Sequence, residues 1–70
     1  MEFRVGMKLQ IVDETDDLAT RVPVEIQVVY RAGRWHAECI DPPFSTPLCE
    51  SMQETIVEAA KEGAKALATS

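Results

Sequence analysis

Seventy residues carrying 12 acidic and 7 basic side chains, a formal charge of −5 and 46% hydrophobic content describe one small acidic domain over residues 1–70. That hydrophobicity excludes a disordered chain. The Lys and Arg residues are scattered, which argues against a nucleic-acid binder, because phosphate affinity comes from grouped cations displacing counterions.

A chain this short removes only about 60% of its unfolded surface from water, so one core leaves stability marginal and a second subunit is the expected supplement. No stretch approaches the ~20 apolar residues of a bilayer span, and MEFRVGMKLQIV lacks the apolar block and cleavage site of a signal peptide. Two cysteines without an export signal point to free thiols in a reducing cytoplasm. Both Met1 and Met7 are candidate starts. An acidic surface suits a basic protein partner, since opposite potentials steer encounter.

Residues 2–12 alternate with period two: Phe3, Val5, Met7, Leu9 and Ile11 on one face, Glu2, Arg4, Lys8 and Gln10 on the other. That is a half-buried strand. An acidic connector over residues 13–20 follows, its repelling carboxylates and turn-forming side chains marking a surface loop. Residues 22–31 form a second strand with Val22, Val24, Ile26, Val28 and Tyr30 on its apolar side, and Pro23 restricted to a strand start or an edge. Ala32-Gly33 is a two-residue hairpin turn, glycine supplying a positive φ.

Residues 34–40 form a third strand, with Trp35, Ala37 and Cys39 toward the core and Arg34, His36, Glu38 and Ile40 away from it. Asp41-Pro42-Pro43 ends it by removing successive backbone donors. Residues 44–49 are a short edge strand limited by Pro47. Ser51-Met52-Gln53-Glu54 is a capping box, Ser51 accepting from the Glu54 N–H and the Glu54 carboxylate returning to Ser51. A helix over residues 51–67 then places Met52, Ile56, Ala59, Ala60, Gly63, Ala64 and Leu67 on one stripe. Acidic residues weight its first half and Lys its second, matching the macrodipole. Its small residues let the helix axis lie close to the sheet, with Trp35, Phe3 and Tyr30 filling the remaining space.

The predicted architecture is α+β and two-layered: an antiparallel sheet of three to four strands with one C-terminal helix on one face. The Gly33 turn, the Trp35-x-Ala37 strand, the Pro42-Pro43 corner, Thr46, and a helix with Glu54, Glu58, Ala59 and Ala60 resemble HicB-like antitoxin domains. The resemblance implies a non-enzymatic protein-interaction module without cofactor, binding a small basic partner such as a toxin ribonuclease. Full-length members usually add a C-terminal DNA-binding segment, which this sequence does not contain, so no direct nucleic-acid contact is expected. The acidic helix also opposes a double-stranded-RNA-binding role.

Three constellations compete for a site. His36, Cys39 and Cys49 could suggest zinc, but a spacing of three along a strand points His36 and Cys39 to opposite faces, so buried packing is the preferred reading and no metal is expected. Cys49 beside the helix N-terminus, where a thiolate would be favoured, is read as packing too. His36 and Glu38 share a strand face as a base-and-carboxylate pair, the basis of an alternative small enzyme or ligand-binding domain, although no nucleophile accompanies them. Asp13, Glu14, Asp16 and Asp17 lack an EF-hand progression and are read as a solvated loop or an acidic docking segment.

The polar sheet face is the candidate partner or dimer surface: Arg4, Lys8, Glu25, Gln27, Arg31, His36 and Glu38, with Val12, Val29 and Ile40 interspersed. A homodimer is expected, through that face or by edge-strand pairing.

Overall fold

Alternating apolar residues produce two long strands, and a computed structural model, which describes residues 1–13 and 20–69, shows how they combine. β1 (Glu2–Asp13) and β2 (Thr20–Arg31) pair antiparallel along their whole lengths, from Glu2 opposite Arg31 to Asp13 opposite Thr20. β3 (Arg34–Cys39) reaches only residues 27–31 of β2, and β4 (Phe44–Ser45) pairs with the end of β3. The sheet order is β1-β2-β3-β4. A twelve-residue strand at about 3.3 Å per residue spans about 40 Å. The hairpin therefore outruns β3 as a two-stranded arm, and the molecule measures 43 Å by 17 Å by 17 Å. Pro23 lies in the part of β2 that β3 does not reach, where a missing ladder donor is tolerated.

The Ala32-Gly33 turn takes positive φ at both residues, 52° and 78°. That is the pair of left-handed conformations whose twist matches a hairpin, so Ala32 shares the role expected of Gly33 alone. The Asp41-Pro42 peptide is cis. Beyond it, Thr46 continues the ladder by an exchange of donors. Its N–H donates to the Ala37 carbonyl at 2.9 Å, while the Ala37 N–H donates to Thr46 Oγ1 at 2.9 Å. Trp35 and Cys49 then exchange backbone hydrogen bonds of 2.9 and 2.7 Å. Pro47 and Leu48 stand opposite the single residue His36, a bulge that turns Leu48 outward.

α1 (Met52–Thr69) lies across the face made by Val24, Ile26, Val28, Ala37 and Cys39. Ser51 caps it, its hydroxyl accepting from the Glu54 N–H at 3.1 Å. The reciprocal bond from the Glu54 carboxylate is not made; instead the Thr55 hydroxyl donates to the Ser51 carbonyl at 2.9 Å. The last turn carries no basic residue, so the expected charge gradient stops short of the C-terminus.

The buried stripe is Thr55, Ala59 and Gly63, with Met52, Ala64 and Leu67 packed beside it. Ile56 and Ala60 sit at its margin, half-buried. The stripe is thus rotated toward Thr55, a residue that reads as polar but whose hydroxyl is satisfied within the helix, leaving its methyl free to pack. The expected Trp35, Ala37 and Cys39 core face is observed. Trp35 meets Tyr30 at a ring separation of 4.8 Å and Phe3 edge-on at 6.5 Å. Phe3 nonetheless remains 53% exposed, since the aromatic row lies at the rim.

Candidate functional site

Strand register decides which side chains meet on the face opposite α1. Arg4, Val29 and His36 form one cross-strand row; Gly6, Gln27, Glu38 and Ser45 form the next; Lys8 and Glu25 are partners beyond. Arg4 reaches across β2, its Nη1 donating to Glu38 Oε1 at 3.1 Å and its Nη2 to Glu2 Oε1 at 3.1 Å. Arg31 Nη2 donates to the same Glu2 oxygen at 3.1 Å. His36 Nε2 stands 3.8 Å from Glu38 Oε2. A chain of ion pairs, Arg31–Glu2–Arg4–Glu38, therefore crosses three strands, with the His36 imidazole beside its Glu38 end.

The ion pairs among Glu2, Arg4, Arg31 and Glu38 are exposed and weak by themselves, but they share partners and fix one another. Hydrogen bonds from Arg31 and then Arg4 hold the Glu2 carboxyl below its ordinary value. Glu2 and Glu38 in turn hold Arg4 above its own. The network also explains Val29, which is 0% exposed although it faces away from the helix. Flanked in register by Arg4 and His36, it lies under the side chains that join them.

Beside this network a hollow of about 850 Å³ opens where β3 leaves β2. Arg4, Glu25, Gln27, Glu38, Asp41 and Ser45 supply its polar lining, and Ile40, Pro43 and Phe44 its apolar wall. The Gln27 amide lies over Gly6, where a Cβ would come within 2.9 Å of its Nε2. Three carboxylates face one guanidinium that is already engaged, so the hollow is acidic. Ile40, 91% exposed, stands on its wall.

The sheet places Arg4, Gln27, Arg31, His36 and Glu38 together, with Lys8 and Glu25 one row away. Sequence reasoning missed Glu2 as the hub and Val29 as a buried residue. The run Val28-Val29-Tyr30 was the available signal, because consecutive apolar residues mark a strand covered on both sides. Of the acidic docking segment, Asp13 ends β1, whereas Glu14, Asp16 and Asp17 lie outside the described residues. His36 and Cys39 fall on opposite faces. Cys39 and Cys49 are free and buried, and the Cys49 thiol donates to the Pro47 carbonyl at 3.4 Å. Among the described residues, no three His, Cys, Asp or Glu side chains gather closely enough to hold a metal ion. No helix among them is long and apolar enough to cross a membrane.

No family model, curated protein or solved structure matches the chain.

Proposed function

We propose that this chain is a non-enzymatic interaction module of the HicB antitoxin kind, whose partner is a small basic protein such as a toxin ribonuclease. The observation that carries the reading is the acidic hollow beside the Arg4–Glu38 bridge, with Ile40 exposed on its wall. With Glu38 already bridged to Arg4, the carboxylates of Glu25 and Asp41 favour a cationic guest, and an exposed apolar side chain beside them gives it an anchor once water is excluded. The net charge of −5 adds long-range attraction of the same sign. Support also comes from the hairpin, proline corner and capped helix on which the family resemblance rests.

Co-expression with the product of an adjacent reading frame encoding a small basic protein tests it. The expected result is a complex that weakens on Glu25→Lys plus Asp41→Lys substitution and in high salt. Failure of the two folded proteins to associate removes the proposal.

A second reading keeps the 3.8 Å approach of His36 to Glu38 as the start of a ligand-binding or enzymatic site. Glu38 is shared with Arg4, which competes for the carboxylate an orienting partner would need. Perturbation of the His36 imidazole NMR signals by a small ligand, with no response to the basic protein, would favour this reading over the first.

A further inference from the structure

The sheet's two edges are treated differently. β4 is two residues long, with Pro43 directly before it and Pro47 shortly after, the short, proline-flanked form in which native edges resist strand addition. The stretch of β2 beyond β3 carries Pro23. β1 has none of these devices. It runs twelve residues without proline, and among the described residues no strand pairs with its outer side. Its core-face side chains Val5, Met7 and Leu9 remain only partly covered, and Phe3 is exposed.

We propose that the outer edge of β1 pairs antiparallel with β1 of a second copy of this chain, about a two-fold axis through Met7. Two constraints, together with the length of strand that can pair, select that register. Side chains must keep to their own face, so only registers that place a residue opposite its own copy are allowed. An axis through Gly6 would set Arg4 against the partner's Lys8, a like-charge pair. An axis through Met7 aligns Arg4 with Gln10, Gly6 with Lys8, Val5 with Leu9 and Phe3 with Ile11, using residues 2–12 with no like charges opposed. The pairing satisfies the outward backbone groups of β1 and joins the two sheets into one of eight strands.

The rival geometry, sheet face against sheet face, would have to break an ion-pair network that already satisfies Arg4, Glu2 and Glu38. Edge pairing leaves that network and the acidic hollow intact, so the dimer does not depend on the partner reading above.

Sedimentation equilibrium of the full chain should show a dimer. Gln10 is exposed and opposite Arg4 in the proposed register, so Q10K should raise the dimer Kd and Q10E lower it, each by on the order of threefold to tenfold over the two symmetric pairs. Opposite signs at one exposed position are not expected of a general fold defect. M7C should form an intermolecular disulfide on mild oxidation, since directly opposed residues fall within disulfide reach. A monomer at the highest soluble concentration, a dimer indifferent to both Gln10 variants, or a dimer whose Cys side chains at position 7 do not cross-link would overturn the proposal.

Discussion

Ile11, near the far end of β1, rests against Gly63 in the middle of α1, and this contact fixes how the hairpin arm meets the helix. A Cβ on Gly63 would overlap the Ile11 Cδ1, and would stand 3.3 Å from Ile11 Cγ1 and 3.4 Å from Phe44 Cε2. Glycine inside a helix costs about 1 kcal/mol against alanine. Overfilling a closed contact costs about 1–3 kcal/mol. Gly63→Ala should therefore be a net loss of about 1 kcal/mol. Ile11→Val removes the overlapping methyl and costs about 1 kcal/mol alone. The double variant should lose less than the sum, a coupling that urea unfolding of all four proteins measures. A Gly63→Ala protein as stable as the parent would show that the helix can lift without loss.

Thr46 replaces a backbone acceptor with a side chain. Ala37 is fully buried, and its N–H has Thr46 Oγ1 as its acceptor; that hydroxyl donates onward to the Pro47 carbonyl at 3.0 Å. Valine keeps the shape but strands the Ala37 N–H, whose desolvation costs about 1–3 kcal/mol. Thr46→Val should lose that much in chemical denaturation, whereas Thr46→Ser should retain most of the parent's stability. Equal stability of the two variants would show that the hydroxyl is not the acceptor that matters.

What the sequence made legible was periodic or local. Period-two alternation located both long strands and assigned Trp35, Ala37 and Cys39 to the core, and Ser51 announced the helix start. Features that depend on two distant segments were not readable. Gly63 meets Ile11 only because the hairpin outruns β3 and its far end still reaches the helix. The Pro42-Pro43 corner that stops β3 was readable, but the acidic hollow was not, because it needs Arg4 and Glu25 of the long hairpin to meet Asp41 and Pro43 beyond the end of β3. Thr55 was overlooked because its polarity is cancelled by a hydrogen bond one turn back, and Val29 because the path of the Arg4 side chain is a tertiary fact.

Ala32 holds a φ of 52° at an exposed position. A residue with a Cβ pays about 1–2 kcal/mol in that left-handed region, and asparagine tolerates it best among residues other than glycine. Ala32→Asn should stabilise the protein by about 0.5–1 kcal/mol, seen as a rise in Tm of about 3–6 °C for a domain of this size. A fall in Tm would mean that the turn does not hold this conformation in solution.

Glu2 makes the polar network sensitive to acid. Its carboxyl is held below the ordinary value of 4.5 by Arg31 and Arg4, so the folded state binds its proton less readily than the unfolded chain. The stabilisation is complete above that ordinary value and is lost as pH falls through the lower, folded-state value. The stability difference between the parent and Glu2→Gln should therefore be level from neutral pH down to about 5, then shrink below 4.5 until the two converge. Because the pair partners are exposed, molar salt should compress the whole difference. Thermal unfolding midpoints of both proteins across that range provide the measurement. A gap that widens with acid would reverse the sign and remove Glu2 as the network's hub.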